Sequence, residues 1–430
     1  MAKEETLILG AGLSGLSTAY FLRRNNIQPK IFDKNTKIGG LCRSVCKQGF
    51  TFDSSGHLLH FRDKGALSLV KKILKNNLVK HKRDSRVYAF NKCIPFPFQL
   101  NFDYLPRKIA QQCLSGFIQA RKQKHRKSDN FLQWVHNKFG KGIADFFMVP
   151  YNVKLWRTPL DKLEYKWAER FVITPTIRQV KGGAKSRSNK PLGYNDSFWY
   201  PKRGGIEELA KGFSGKASNI YLNSQAIKVD VKKKTVMFKD GRKEKFDKLI
   251  STIPLPELGK IITPLPDEIR KSFNLLKWVS IYNINLGVKV QNKLPRHWIY
   301  FAQKNIPFFR VGFFHNFSSY LAPAGRGSIY ADVSYSKDRP IRKQEIYPKV
   351  VKYLLSTGII RCESDICCEH INDIKYGYPI YDKNYILARK KIMDFLSRNN
   401  IISRGRYGSW RYLSMEDVIF EAKKTAEDML

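Results

Sequence analysis

Acidic residues are scarce: 36 Asp and Glu stand against 78 Lys and Arg, a formal net charge of +42 over 430 residues. The deficit points to anionic company, whether phosphates, nucleic acid or an anionic membrane surface, and does not choose among them. Long hydrophobic runs are missing too. No apolar stretch reaches the roughly 18–20 residues of a membrane span, so an integral helical membrane protein is not expected. The opening residues, Met1 to Glu5, carry no long apolar segment, and the run Leu7–Leu9 breaks at Gly10, so no secretory signal is expected. Cysteine is thin: seven residues, an odd number, at positions 42, 46, 93, 113, 362, 367 and 368. That argues for a reducing cytoplasm and against a disulfide framework. Repeats and low-complexity tracts are absent. What remains, 43% hydrophobic and 27% charged residues, reads as a globular chain with two or three structural units.

The first sixty residues carry the strongest pattern. Thr6-Leu7-Ile8-Leu9 is a short apolar run ending at Gly10-Ala11-Gly12-Leu13-Ser14-Gly15. An amphipathic stretch follows to Arg24, then a second strand, Pro29 to Asp33. The order is strand, glycine turn, helix, strand, acid. Gly10 permits the tight turn, Gly12 lets the backbone approach a pyrophosphate, and Gly15 lets helix and strand close up. The helix N-terminus adds N–H groups and a partial positive charge, and Asp33 stands where an acid accepts from a ribose hydroxyl. FAD is then favoured over NAD by Gly39-Gly40-Leu41-Cys42-Arg43, an element resembling the continuation in FAD proteins of the amine-oxidase and glutathione-reductase type. A strand, Gly49 to Asp53, leads to Ser54-Ser55-Gly56-His57. Gly56 would let backbone press against a flat cofactor, and His57 is either a flavin contact or a structural hydrogen-bond partner. His60 lies near it without acidic or cysteine neighbours, and no metal is expected.

The rest of the chain alternates in class. A helix is expected over 64–77, a hairpin over 78–98 and helices over 103–148, with a basic run from Arg121 to Lys127 read as solvated loop. Residues 178–192, rich in Gly, Lys and Ser, are expected as a flexible loop. Short strands return over 218–253, with a hairpin signal at Lys239-Asp240-Gly241-Arg242. A second β-rich stretch covers 277–336, then a helix over 341–355, strands near 366–378, and helices over 383–398 and 416–430. The fold expected is α/β: a Rossmann-like FAD-binding domain interleaved with a helical domain and an antiparallel β-sheet substrate domain. Residues 1–77, 176–265 and 376–430 are assigned to the FAD domain, 78–102 and 266–375 to the sheet domain, and 103–175 to the helical domain.

Phe147-Met148-Val149-Pro150-Tyr151-Asn152-Val153-Lys154-Leu155-Trp156 resembles the Met-x-Pro-Tyr-Asn-x-Lys-x-Trp segment of eukaryotic-type UDP-galactopyranose mutases. Further matches follow in family order: Trp298 to Phe301, Pro307 to Arg310, Gly377-Tyr378-Pro379 and Ser403 to Tyr412. Together with the glycine fingerprint they span the chain. The resemblance implies a reduced flavin whose N5 attacks the anomeric carbon of a UDP-sugar and expels UDP. The sugar ring then opens and recloses, exchanging pyranose for furanose, with UDP-galactopyranose the best single substrate. The cycle is redox-neutral, and NAD(P)H is the expected reductant of FAD.

The site residues implied by the resemblance divide three ways. His57, Arg310 and Arg170 are expected to be catalytic. The cofactor would be held by Gly10, Gly12, Leu13, Ser14, Gly15, Asp33, Lys34, Gly40, Leu41, Arg43, Gly56, His57, Arg406, Tyr412 and Glu416. The substrate would meet Phe96, Gln99, Asn152, Trp156, Arg170, Asn195, Tyr300, Arg310, Tyr378 and Tyr412. Arginine forks and tyrosine hydroxyls suit a departing diphosphate because they add no competing nucleophile. The tyrosines read equally as half-buried aromatics closing a sheet, and Trp156 and Trp410 as core. Arg310 within apolar Phe308-Phe309-Arg310-Val311-Gly312 demands an anion, either a ligand or a carboxylate of the sheet. The chain departs from the family in three places. It has Ser55-Gly56-His57 for Gly-Gly-His and Phe96 for a tyrosine, and Leu413 to Asp417 replaces an Asn-Gln-Asp-His stretch.

Two other readings stay open. One is an FAD oxidoreductase resembling protoporphyrinogen or amine oxidases, against which the net charge and Arg310 favour a phosphorylated substrate. The other is a non-catalytic binding protein like the Rab GDP-dissociation inhibitors, against which Gly39-Gly40, Arg43 and His57 weigh. Nucleic acid is not an expected partner, since no motif accompanies the charge. The protein is expected in the cytoplasm, where its basic surface would allow a peripheral place at the inner face of the membrane.

Overall fold

The strand Thr6–Leu9 is fully buried at the centre of a five-stranded parallel sheet in the computed structural model, which describes residues 4–123, 127–185, 196–215, 219–289 and 295–430. Its neighbours come from distant parts of the chain. Lys30–Phe32 and Ile220–Tyr221 lie on one side, Lys248–Ser251 and Ile401–Ser403 on the other, all paired in parallel. Parallel strands need crossovers, and these cover both faces of the sheet. Ile8 points into a core shared with the helices Leu13–Arg24, Glu207–Ser214 and Met415–Glu427, while Leu7 and Leu9 point to the opposite core. A smaller sheet covers that second face, in the order Lys243–Lys245, Thr235–Phe238, Ala226–Asp230, Ile262–Thr263. The hairpin expected at Lys239 to Arg242 joins its first two strands, with Gly241 at φ 86°.

The second large sheet has seven strands, in the order Ile366–Pro379, Trp278–Lys289, Arg326–Tyr335, Arg310–Phe313, Trp298–Phe301, Ser85–Ala89, Lys92–Pro95. All neighbours are antiparallel except Trp298–Phe301 with Ser85–Ala89. Alternation along these strands sorts the side chains. Ile284, Ile299, Val311, Ile329 and Ala331 form an apolar face under the helix Lys343–Ser356. The opposite face carries the site. The helices Arg107–Lys122, Phe131–Ile143 and Val149–Trp156 form a third unit around Phe98, Phe117, Trp134 and Phe139. Two of them approach through glycine: a Cβ on Gly140 would stand 2.1 Å from the Gly116 oxygen. The α/β architecture with a Rossmann-like parallel sheet is therefore present. Among the described residues no helix is long and apolar enough to cross a membrane.

Two local expectations change. The hairpin expected over 78–98 is only its second part, Ser85–Ala89 with Lys92–Pro95, turned by Phe90 and Asn91, both at positive φ. Val79–Lys82 pairs instead with Ser197–Tyr200. Residues 178–192 are not a loop throughout, because Ile177–Lys185 is a helix. Its Gly183 serves contact and not flexibility, since a Cβ there would lie 2.0 Å from the Leu100 oxygen.

Candidate active site

The glycine turn builds a cradle mainly from backbone. Gly10 has φ 104°, and a side chain there would meet Thr252 Oγ1 at 2.4 Å. Gly15 leaves no space at all, its Cβ falling 1.9 Å from the Gly10 oxygen, so glycine lets the helix close on the turn. Gly12 differs. A Cβ there would meet nothing closer than the Gly40 Cα at 3.7 Å, so the protein itself does not demand glycine. Gly12 begins the helix without a side-chain cap, and no acid occupies the first turn, leaving the helix's positive end uncompensated. Ser14 Oγ is buried with no hydrogen-bond partner among the described residues. Gly39 donates to the Ala11 oxygen at 2.8 Å, both Gly39 and Gly40 have positive φ, and Arg43 Nε donates to the Gly40 oxygen at 3.0 Å. Asp33 accepts from Ala11 N (2.7 Å), Asn35 N (2.8 Å) and Asn35 Nδ2 (2.7 Å), tying the turn to the second strand. Leu13 is buried, Leu41 is half-buried and Lys34 is exposed. The orphan hydroxyl, the uncapped helix end and a glycine at position 12 that the protein's own packing does not demand all fit the diphosphate of a flavin dinucleotide.

A line of polar side chains crosses the seven-stranded sheet beside this cradle. Tyr300 opposes Arg310, Arg310 opposes Asp332, Asp332 opposes Asn283, and Asn283 opposes Asn372. Directly opposed residues share a face, so the row is contiguous over five strands. Arg310 donates to Asp332 Oδ2 from Nε (2.9 Å) and Nη2 (2.7 Å), and to Ser55 Oγ from Nη2 (2.9 Å). Asn283 Nδ2 donates to Asp332 Oδ1 at 2.9 Å. The anion demanded by a charge in an apolar strand is thus a protein carboxylate, fully buried. The Arg310 side chain is 18% exposed, and its Nη1 makes no hydrogen bond among the described residues. That edge can take a second anion.

Half-buried tyrosines surround the row. Tyr300 lies 5.4 Å from Phe96 and 5.5 Å from Tyr151, and Tyr378 stacks on Tyr412 at 5.6 Å. Burial pushes the Tyr151 hydroxyl well above its ordinary pKa, with Tyr300, Arg310, Tyr378 and Tyr412 all near enough to act on it. Arg406 lies 4.4 Å over Tyr412 and 5.3 Å over Tyr378, and donates to the Leu413 and Gly377 oxygens at 3.0 and 3.1 Å. Its Nε is buried without a hydrogen-bond partner among the described residues. His57 has Nδ1 3.3 Å from the Ser55 oxygen. Burial, then the charge of Arg406, pushes its pKa down to about 4, so the imidazole is neutral at physiological pH. Two guanidiniums, several hydroxyls and a neutral imidazole make a site that can hold an anion.

Not every expected residue reaches it. Phe96 does, with the Arg83 guanidinium 4.8 Å over its ring. Arg170 donates to Asp417 Oδ1 at 2.6 Å and lies over Phe171, whose ring meets Tyr412 edge-on at 4.8 Å. Asn152 and Trp156 bond to each other at 3.1 Å, one helical turn apart, and Asn152 Nδ2 also donates to the Met148 oxygen. Trp156 is buried yet touches Tyr378 at 5.9 Å. Gln99 is buried and donates to the Ile173 oxygen at 2.7 Å. Glu416 is buried and its carboxylate is already engaged. Its Oε1 accepts from Arg62 N (2.7 Å) and Asp63 N (2.9 Å), pinning the last helix to the chain after His60. Gly56 is required by the sheet itself, because a Cβ would meet the Tyr330 hydroxyl at 2.1 Å. Asn195 lies outside the described residues. Among those described, no group of three His, Cys, Asp or Glu could hold a metal ion.

Sequence reasoning missed Asp332, Asn283, Ser55 and Tyr151 as members of the site. Asp332 carried the same signal as Arg310, a charge inside an apolar strand. Their opposite signs were a cue to pairing, but the register that joins them is invisible in one dimension. Tyr151 sat inside the recognised segment.

The flavin containing amine oxidoreductase family matches residues 13–354. A protoporphyrinogen oxidase of Dictyostelium discoideum is 23% identical over 350 residues, 66% of each chain. The UDP-galactopyranose mutases of Mycoplasma pneumoniae and Mycoplasma genitalium are 22% and 26% identical over 38% and 45% of this chain. The matches span 66%, 43% and 50% of these relatives, less than two thirds of each. A crystal structure of reduced UDP-galactopyranose mutase superposes with a TM-score of 0.95 at 26% identity, covering 100% of this chain and 94% of that one. A putative protoporphyrinogen oxidase from Exiguobacterium shares the fold with a TM-score of 0.77 at 14% identity, over 100% and 99% of the two chains. The cradle, the sheet and these matches agree: the chain belongs to the flavin containing amine oxidoreductase family, and within it has the fold of UDP-galactopyranose mutase.

Proposed function

We propose that the protein is an FAD-dependent nucleotide-sugar mutase that interconverts the pyranose and furanose forms of a UDP-sugar, with UDP-galactopyranose as first substrate. The observation that carries the reading is the edge of Arg310. Asp332 and Ser55 use Nε and Nη2 and leave the Nη1 donors for a ligand, with Tyr300 and Tyr378 near enough to act on the guanidinium and Tyr412 and Arg406 near Tyr378. Such a site grips a diphosphate as it leaves, through charge-assisted hydrogen bonds in a place already shaped for it. Phe96 offers a face for the uracil next to Tyr300.

Reduced flavin, when bound, supplies the nucleophilic nitrogen that displaces UDP from the anomeric carbon, and NAD(P)H is the proposed reductant. The chain supplies orientation and electrostatics. Gly12, Ser14, Gly40 and Arg43 would hold the cofactor's diphosphate and Asp33 its ribose. His57, with its Nδ1 proton directed at the Ser55 oxygen, keeps Nε2 as a neutral acceptor of a hydrogen bond from a hydroxyl. The one carboxylate in the polar row, Asp332, is spent on Arg310 and is no competing nucleophile.

The test is incubation of dithionite-reduced protein with UDP-galactopyranose, followed by chromatography. A furanose product without net reductant consumption supports the reading. The protoporphyrinogen oxidase match favours a second one, an oxidoreductase, and stoichiometric NAD(P)H oxidation or peroxide release per turnover would establish it instead. We further propose a cytoplasmic location with docking of the basic surface on anionic lipid, supported by cysteine usage and the +42 charge. Cosedimentation with acidic vesicles at low salt, lost at high salt, tests that proposal.

A further inference from the structure

Ser55 stands where the mutase family commonly has glycine, and its backbone has φ 73°, a region that disfavours any residue with a Cβ. Serine there needs a compensating interaction, and the structure contains one. The Ser55 hydroxyl donates to Asp332 Oδ2 at 2.8 Å and accepts from Arg310 Nη2 at 2.9 Å, so its proton and a lone pair are both engaged. Its backbone N donates to Asn283 Oδ1 at 3.2 Å. That oxygen also accepts from Asn285 Nδ2 (2.8 Å) and Asn372 Nδ2 (3.0 Å). Asp332, Asn283 and Asn285 are fully buried, so little water competes. Two residues later the same loop carries His57.

We infer that Ser55 is a positioning residue that holds the Arg310 guanidinium in the rotation presenting Nη1 to the substrate diphosphate, and so joins the His57 loop to the polar row. Asp332 alone cannot fix that rotation. Both of its contacts to Arg310 use one oxygen, Oδ2, a single pivot about which the planar group can turn. The Ser55 oxygen gives Nη2 a second anchor, 2.8 Å from the first, and removes that freedom. This inference rests on the mutase reading.

The experiment compares Ser55→Gly, which removes the hydroxyl and relieves the backbone, with wild type and with Arg310→Lys, each alone and combined. Flavin content, melting temperature and binding of UDP to the reduced holoenzyme are measured on the same preparations. Ser55→Gly is expected to keep its flavin and melting temperature, yet bind UDP about 10-fold more weakly, the size of one hydrogen bond to a charged group. In the Arg310→Lys background the same change should have almost no effect, because the lysine has no fork to orient. Equal UDP affinity of Ser55→Gly and wild type overturns the inference while leaving the mutase reading standing. A full additive loss in the lysine background also overturns it, since Ser55 would then act without Arg310. Failure of wild type to bind UDP overturns the mutase reading, and this inference with it.

Discussion

The cofactor cradle and the tyrosine–arginine cleft are neighbours built on opposite plans. The cradle uses backbone from about thirty consecutive residues, and its glycines are shaped by contacts with one another, as at Gly15 and Gly10. The cleft uses side chains from positions 55, 57, 151, 300, 310, 332, 378, 406 and 412, with 300, 310 and 332 aligned by strand register and the others brought by loops, helices and an edge strand. A backbone site depends on a few exact φ angles and tolerates change elsewhere. A side-chain site depends on a buried network in which each polar group satisfies another, so damage spreads. Gly12 against Gly15 and Arg310 against Tyr378 are the pairs that expose this difference.

The largest expected effect is at Gly15. Gly15→Val drives carbon into the Gly10 carbonyl and should cost at least about 4 kcal/mol, giving little soluble protein and no flavin absorbance. Soluble yellow protein would show that the helix can move off the turn. Next is Arg310→Ala, which strands the fully buried Asp332 without its cation and should destabilise by about 3–5 kcal/mol in urea titrations. Adding Asp332→Asn should recover part of the loss. Because of this cost, Arg310→Lys is the cleaner probe of ligand binding.

Acid challenges the buried imidazoles. Burial holds His57, His60 and His297 at about 4 in the folded protein, below the ordinary 6.5. As pH falls from 6.5 towards 4 the unfolded chain takes up protons that the folded one refuses, so stability present above pH 6.5 is lost. Asp53 opposes this. Burial raises it to about 6 despite hydrogen bonds from Ser44, Tyr200 and Ile206, so it binds a proton first in the folded state. Three histidines against one carboxyl leave a net loss on the order of 2 kcal/mol per pH unit near pH 5. Melting curves between pH 7 and 4 should fall accordingly, and a flat profile would mean that the imidazoles are not held neutral.

Smaller effects follow. Tyr378→Phe keeps the stack on Tyr412 and should change stability by under about 1 kcal/mol while weakening UDP binding several-fold, read by titration. The smallest stability effect should be at Gly12. Gly12→Ala meets only ordinary contacts, so the melting temperature of cofactor-free protein should hardly move, within about 0.5 kcal/mol, while FAD affinity falls. Equal losses in both measurements would mean that the cradle, and not the cofactor, needs that glycine.

The amino-acid order alone determined the α/β class and the cradle's glycine turn, because strand, turn, helix, strand and acid follow one another with each contact made locally. It also marked Arg310, since a charge in an apolar strand is conspicuous without any structure. It could not supply Asp332, twenty-two residues on, because only the register of two strands brings the pair to 2.7 Å. The same limit explains Gly183, which reads as loop but serves the Leu100 carbonyl, and the Tyr330 ring that Gly56 has to clear. It explains Glu416, whose carboxylate is taken by backbone N–H groups some 350 residues earlier. Glycine and carboxylate are chosen by what stands opposite them. Neighbours in the chain declare themselves in the sequence, whereas neighbours across a sheet are decided only when hydrophobic burial sets which residues face each other.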